Sequence, residues 1–271
     1  MKAHHNSVHL LVVALAFIAL CAASAQAVPT LYFLTTSSSS ATINDAVFMP
    51  FNPDTATGTG NFDSFLRIQG NGTERGYNTD GTTQYQTKGG TWTHSILLDA
   101  TTPPRVQMGG NWYREILVDI DEDGGPGRYL SLDQLVVSLE TSPSLTGYPD
   151  IAYQNFGGPV IYSMDDLGQD SAIIMDGLLF GGGNGKGDVR IYVPDFSPSP
   201  SFPYLYVYAV FGQQTSVQLP TGETVSAVAN SGFEEMGVWV GGSSEVPAPG
   251  ALLLAALGAG LAARLRRVRV L

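Results

Sequence analysis

Residues 113–120 read YREILVDI, and this stretch decides the fold class of the chain. Successive side chains of a β-strand point to opposite faces, so the even-numbered and odd-numbered residues lie on different sides. The even-numbered side carries two isoleucines and a valine, and the odd-numbered side still carries Tyr113 and Leu117. The stretch therefore predicts a strand that is more than half buried. Residues 204–211, YLYVYAVF, are apolar on both sides and predict a central strand.

Similar short runs of β-branched and aromatic residues recur between residues 28 and 245, separated by clusters of Gly, Pro, Asn and Asp. This alternation, without helical periodicity of useful length, is typical of a sandwich or a barrel. We expect an all-β fold, an antiparallel β-sandwich of jelly-roll type that forms one domain over residues 28–245. The predicted strands are TLYFLTT, FDSFLRIQG, THSILLDA, YREILVDI, LVVSLE, VIYSM, SAIIMDG, DVRIYVP, YLYVYAVFG, TSVQL and MGVWVG, and residues 71–82, NGTERGYNTDGT, are predicted as a loop.

The predicted domain is strongly acidic. It holds all 24 acidic residues of the chain but only 8 of its 13 basic residues, which gives a net charge of −16. A body with this charge repels phosphate groups, so nucleic acid and anionic membrane surfaces are excluded as partners. The single cysteine, Cys21, precedes the domain, so the domain has no disulfide and no thiolate chemistry. Its cohesion has to come from packing or from bound ions.

The first 27 residues have the order of a secretory signal peptide. Lys2 lies in a weakly basic start, an apolar run follows over residues 10–23, and Ala25 and Ala27 are the small residues before the cleavage site. The apolar run is too short to cross a bilayer comfortably. We expect signal peptidase to cleave after Ala27 and the chain to be exported.

The chain ends in a short apolar stretch followed by arginines. Residues 250–263 are uncharged. As a helix they reach about 21 Å, whereas the core of a bilayer is about 30 Å thick. Arg264, Arg266, Arg267 and Arg269 follow, and basic residues stay on the cytoplasmic side of a membrane. The pattern predicts a marginal transmembrane helix with the arginines inside and the domain outside.

This tail resembles the PEP-CTERM sorting signal. The residues that carry the resemblance are Val246, Pro247, Ala248 and Pro249, the apolar stretch, and the terminal Arg264, Arg266 and Arg267. Ala248 stands where the family has a glutamate. This difference leaves open which subclass of sorting enzyme would read the tail. The resemblance implies that residues 246–271 are read by an exosortase, a transpeptidase-like membrane enzyme of Gram-negative bacteria that make extracellular polysaccharide. The alternative is an ordinary tail anchor, because hydropathy alone does not separate the two.

The domain also resembles a group of PEP-CTERM passenger domains. The matching motifs, in chain order, are YREILVDI, SLDQLVVSL, GGGNGKGDVRIYVP, YLYVYAVFG and NSGFEEMGVWV, and they cover about residues 110–240. Val189 stands where the group has Met, and Met236 where it has Trp. No activity is established for the group, so the resemblance implies fold and location and leaves the function open.

The stretch DIDEDGG at residues 119–125 imitates the start of a calcium loop. Asp119, Asp121 and Asp123 alternate, and three carboxylates this close would repel one another without a cation. The EF-hand pattern fails because its twelfth position is Leu130 rather than Glu. Asp133, at the start of the next predicted strand, would complete a loop site instead. Calcium is the only cofactor that the sequence suggests, and the alternative is a solvated acidic hairpin.

Aromatic residues are the candidate ligand contacts. Tyr204, Tyr206 and Tyr208 share one face of a predicted strand. They would form either a platform for stacking sugars or, as regularly spaced aromatics more often do, part of a core. The tryptophans are predicted as packing residues: Trp92, Trp112 and Trp239.

Motifs for catalysis are sparse. Outside the signal peptide the only histidine is His94, and no nucleophile motif accompanies it. The glycine-rich residues 181–188, GGGNGKGD, lack the spacing of a phosphate-binding loop. Paired carboxylates such as Glu234 and Glu235 are not evidence for glycoside hydrolysis. That reaction depends on the distance in space between two carboxyl groups, which the sequence does not give.

These features together predict an exported protein. Its tail would hold it at the inner membrane until sorting, after which the domain would reside at the outer surface or in an extracellular polysaccharide matrix. We expect a structural or adhesive role without catalysis. The alternatives are a carbohydrate-binding or glycan-hydrolysing domain and a plain tail-anchored periplasmic protein.

Overall fold

The computed structural model describes residues 28–51, 62–99, 102–122, 125–149, 155–165, 169–180, 187–197, 199–230 and 232–239. The predicted signal peptide, residues 1–27, and the predicted sorting tail, residues 246–271, lie outside the described residues. Among the residues that are described, the fold is all-β, with one 3₁₀ helix at Gly125–Arg128 and no α-helix.

Eighteen strands are found in the described part of the chain, numbered here in chain order. They are β1 (Thr30–Leu34), β2 (Ala41–Ile43), β3 (Ala46–Pro50), β4 (Phe62–Ile68), β5 (Asn71–Gly72), β6 (Glu74–Tyr77), β7 (Ile96–Leu97), β8 (Arg105–Met108), β9 (Asn111–Ile120), β10 (Tyr129–Glu140), β11 (Val160–Ser163), β12 (Ser171–Asp176), β13 (Val189–Pro194), β14 (Tyr204–Phe211), β15 (Gln214–Gln218), β16 (Thr224–Ala227), β17 (Ala229–Asn230) and β18 (Glu234–Trp239). Each of the eleven predicted strands overlaps one of them, which confirms those predictions.

Two seven-stranded sheets form the body. Sheet A has the order β1-β12-β10-β14-β6, with β11 beside β10 and β7 beside β14. Sheet B has the order β2-β3-β13-β9-β18-β4, with β8 beside β9. Two smaller pairs, β15 with β16 and β5 with β17, lie outside these sheets.

All strand pairs are antiparallel except β1 with β12, which is parallel. The predicted antiparallel arrangement is confirmed for the other described strand pairs and does not extend to this edge of sheet A. Parallel neighbours need a long crossover connection, and β2 to β11 intervene in the chain between these two strands. Sequence periodicity reports burial and carries no information about strand direction.

One hydrophobic core contains residues of both sheet A and sheet B. The residues that face it alternate along each central strand, as Ile116 and Val118 do in β9 and Leu205 and Val207 do in β14. All four are fully buried. The period of two that predicted a half-buried strand at residues 113–120 is thus the period that fills this core.

The outer face of sheet A is covered as well. Tyr206 and Tyr208 of β14 pack there with Tyr77 and Tyr148 in a separate cluster, which we call the outer aromatic cluster. The β15–β16 hairpin covers another part of the same face, where Val217 packs against β12. Strand β14 is therefore buried on both faces, as its sequence predicted.

The prediction of a loop at residues 71–82 is wrong, because these residues contain β5 and β6. Strand β6 pairs with β14 at the edge of sheet A. Glu74 and Gly76 have low intrinsic strand propensity, and the pairing with β14 overrides it. Gly76 also allows a close approach, since a Cβ at this position would collide with the hydroxyl of Thr87.

Candidate functional site

The structure separates the predicted calcium ligands. Asp119 points away from the core on the outer side of sheet B, and its Oδ1 accepts a 2.9 Å hydrogen bond from the amide of Gly187. Asp133 lies on the outer side of sheet A, so the core stands between the two. Asp121 follows the end of β9, and Asp123 is outside the described residues. In the described ranges, no group of three or more His, Cys, Asp or Glu side chains is arranged to hold a metal ion.

Asp133 is a structural residue at a β-bulge, where β10 carries one residue more than its partner β14. The buried carboxylate accepts hydrogen bonds from the Ser131 hydroxyl at 2.7 Å, the Gln213 amide at 2.8 Å and the Gln214 side chain at 2.8 Å. Burial raises the pKa of the Asp133 carboxyl, and these hydrogen bonds oppose the rise. The carboxylate oxygens are therefore engaged by protein donors.

The tyrosines of β14 do not form an open platform. The ring of Tyr208 stacks on the ring of Tyr148 with a centroid distance of 4.3 Å and an interplanar angle of 5°. The hydroxyl of Tyr206 donates to the carbonyl oxygen of Ser142 at 2.9 Å and accepts from the amide of Leu145 at 3.0 Å. The segment after β10 thus occupies the position that a sugar would take.

Two of the three tryptophans differ from the prediction of packing residues. Trp92 is 47% exposed and Trp112, in the β8–β9 hairpin, is 46% exposed. Trp239 does pack, with its ring edge-on to Phe51 at a centroid distance of 5.6 Å. The signal for exposure at Trp112 was the adjacent Gly109-Gly110 turn, which places this residue near the tip of a hairpin.

Each half-exposed tryptophan lies against an arginine that is itself ion-paired. The guanidinium of Arg67 lies 4.0 Å from the ring centroid of Trp92, and its Nε donates to Glu235 at 2.7 Å. The guanidinium of Arg105 lies 4.7 Å from the ring centroid of Trp112. These contacts restrict the orientation of each indole ring.

The ion pair beside Trp112 involves Asp195. Arg105 donates to one of its oxygens at 2.6 Å and Arg114 to the other at 2.9 Å. Burial alone would raise the pKa of the Asp195 carboxyl, but the hydrogen bonds from the two arginines hold it below its usual value. Beside Trp112, two arginines therefore share one carboxylate, and each of them is ion-paired.

The most unusual polar feature is a pair of glutamates enclosed by the fold. Glu74, the first residue of β6, is 0% exposed, and Glu234, the first residue of β18, is 1% exposed. None of their four carboxyl oxygens has a hydrogen-bond partner of normal geometry. The two carboxyl groups lie close enough for each to influence the ionisation of the other. We call them the glutamate pair.

Burial is the largest influence on the glutamate pair. It raises the pKa of Glu74, while the contact with Glu234, the nearby Gly70 amide and the charge of Lys88 lower it. Burial raises the pKa of Glu234 well above its usual value, and the neighbouring Glu74 and Glu122 raise it further. At least one carboxyl group of the pair therefore holds its proton at a pH where an exposed glutamate is ionised.

Sequence reasoning missed Glu74 and gave no weight to Glu234. A signal existed for Glu234, because it shares the period of two with Met236 and Val238, which face the core. No such signal existed for Glu74, since its strand was predicted as a loop.

His94 has local structural partners. Its Nδ1 lies 2.8 Å from the carbonyl oxygen of Ser95, and its backbone amide donates to the carbonyl oxygen of Phe65 at 3.0 Å. Of the glycine-rich residues 181–188, the first six lie outside the described residues. Gly187 is the donor to Asp119 noted above.

Comparison of the chain with protein-family models, with curated proteins and with solved structures found no match. A search for a helix long and apolar enough to cross a membrane, restricted to the described residues, also found none.

Substitution of Asp133 tests its structural role. We expect Asp133→Ala to lower the free energy of unfolding by about 2 kcal/mol, because the buried Ser131 hydroxyl and two partly buried donors lose their acceptor. Urea denaturation of the isolated domain measures this change. The matched control is Asp63→Ala, an exposed strand position, where we expect a change within about 0.5 kcal/mol. Equal effects at the two positions would contradict the structural assignment.

Proposed function

We propose that this chain is an exported component of the cell envelope or of an extracellular polysaccharide matrix, with a structural or adhesive role. The observation that carries the adhesive role is the pair of half-exposed, arginine-stacked tryptophans, Trp92 and Trp112. Tryptophan and arginine are the residues that contribute most to binding energy at protein contacts. A side chain held in one orientation also loses less entropy on binding.

The ligand class follows from charge. Arg67 is ion-paired with Glu235, and Arg105 is ion-paired with Asp195, so neither tryptophan lies against an unpaired cation. The domain as a whole is acidic and repels anionic polymers. An apolar ring bordered by ion-paired donors and acceptors suits a neutral polyhydroxylated chain, so a neutral glycan is the ligand that we assign to these surfaces.

We infer that the two-sheet arrangement is an antiparallel β-sandwich of jelly-roll type, apart from the parallel edge at β1. The support is the single core between sheets A and B. The signal helix and the transmembrane helix that would flank the sandwich are proposed from the sequence alone.

Catalysis is not part of the proposal. Glycoside hydrolysis uses two carboxyl groups that flank the scissile bond of a bound sugar. The glutamate pair would be the candidate, but both side chains are enclosed within the fold. A glycan-binding role therefore has more structural support than a glycan-hydrolysing one.

The location is proposed from the two ends of the sequence. Signal peptidase would cleave after Ala27, and an exosortase-type enzyme would read residues 246–271 at the inner membrane. The domain would then pass to the outer surface or to the matrix. A plain tail-anchored periplasmic protein is the competing outcome.

Processing of the tail can be measured directly. We expect mass spectrometry of the protein recovered from its host to find a C-terminus before Arg264, because sorting removes or exchanges the arginine cluster. The matched control is a variant in which Arg264, Arg266, Arg267 and Arg269 are replaced by Gln, which should keep the intact tail. Recovery of the native protein with Leu271 in place would refute sorting and favour the tail anchor.

Glycan binding can be tested with neutral extracellular polysaccharide purified from the host. We expect Trp112→Ala and Trp92→Ala each to weaken binding on the order of tenfold, since hot-spot aromatics cost this much when truncated. Titration calorimetry measures the affinity. Leu97→Ala, at another exposed apolar residue, is the control and should bind normally. Failure of the native domain to bind, or unchanged binding by the double tryptophan variant, would contradict the glycan assignment.

A calcium site without Asp133, formed around Asp119, Asp121 and Asp123, stays a prediction. Ion binding to the folded state raises the melting temperature, and extracellular calcium modules bind at about 1 mM. We therefore expect calcium at this concentration to raise the melting temperature of the native domain but not that of Asp123→Asn. Magnesium is the control ion, and no shift with calcium would end the proposal.

A further inference from the structure

The glutamate pair connects the two sheets. Glu74 begins β6 at the edge of sheet A, where it is in register with Phe211 of β14. Glu234 begins β18 in sheet B, where it is in register with Ile68 of β4 and Ile120 of β9. The contact between their carboxyl groups therefore joins the sheets at one end of the core.

Two ionised carboxylates would not be stable in this position. Both side chains are withdrawn from water, and like charges in a low-dielectric interior repel each other strongly. A single proton changes the interaction, because a carboxylic acid donates to a carboxylate through a short, charge-assisted hydrogen bond. The same proton provides a donor for oxygens that have no hydrogen-bond partner of normal geometry.

The charged groups around the pair favour a retained proton. Glu122, which follows β9, lies beside Glu234 and accepts hydrogen bonds from the Asn230 amide at 2.9 and 3.0 Å. Its negative charge opposes ionisation of Glu234. Lys88, near β6, acts in the opposite direction on Glu74. The charge of Glu122 therefore favours the protonated pair, and the charge of Lys88 opposes it.

We propose that Glu74 and Glu234 share one proton, and that this proton fastens sheet A to sheet B as a pH-sensitive clasp. When the proton is released to solvent, two adjacent carboxylates remain and this end of the body loosens. The clasp is independent of the proposed function, because it depends only on contacts within the fold.

The direction of the pH dependence follows from the raised pKa values. Burial raises the pKa of each carboxyl group in the folded state above that of an exposed glutamate, which is about 4.3. The folded protein therefore binds a proton that the unfolded chain has already lost. The contribution of the clasp to stability is complete below the unfolded pKa and is lost as the pH rises through the folded pKa.

The decisive experiment compares the native domain with Glu234→Gln in urea at about pH 5 and about pH 8, values on either side of the range in which a raised glutamate pKa titrates. A glutamine amide donates to Glu74 without needing a proton. We expect the variant to have the higher midpoint urea concentration at the upper pH and to lose this advantage at the lower pH. The charge-matched control is Glu223→Gln, at an exposed turn, which should keep the native pH dependence.

Two further measurements test the shared proton. If Glu234→Gln does not fold, Glu74→Gln makes the same change from the other side. In the native domain at neutral pH, infrared spectroscopy should show the carbonyl stretch of a protonated carboxylic acid. Its absence would overturn the proposal, as would parallel pH profiles for native and variant protein. Stabilisation by calcium that Glu234→Gln abolishes would also overturn it, because the pair would then hold a cation.

Discussion

The pairing of β10 with β14 is the constraint on which the rest of the structure depends. The two strands pair from Leu132 opposite Phe211 to Glu140 opposite Tyr204, with a single bulge at Asp133. Both are buried on their two faces, so one side fills the core between the sheets and the other receives the outer aromatic cluster and the β15–β16 hairpin. The bulge at Asp133 lets a buried carboxylate organise the chain that leaves β14.

The charge composition shapes the interior. The predicted domain has 24 acidic and 8 basic residues, so most carboxylates cannot find a cation. Some buried ones pair with arginine, as Glu235 does with Arg67. Others accept hydrogen bonds from amides, as Asp133 does. Glu74 and Glu234 have neither an arginine partner nor an amide donor of normal geometry, and they lie beside each other.

Much of the fold class could be predicted from sequence because burial leaves a period of two in strands such as residues 113–120. The strand at Glu74 could not be predicted, since its conformation comes from pairing with β14 rather than from its own residues. Asp119 and Asp133 are separated because each lies on the outer face of a different sheet. Their closeness in the sequence suggested instead that they would be close in space. Exposure of Trp92 likewise depends on distant neighbours, among them Arg67.

The parallel edge has a consequence for the order of assembly. Thr30 of β1 lies opposite Ser171 of β12, so the first strand of the domain has no partner in its sheet until more than half of the chain is present. Closing a loop of this length is slow, and it yields no stabilising contacts until both strands are present. When a ribosome or a translocon delivers this polypeptide from its N-terminus, β1 must therefore emerge as an unpaired strand. It joins sheet A late, after the other strands have formed.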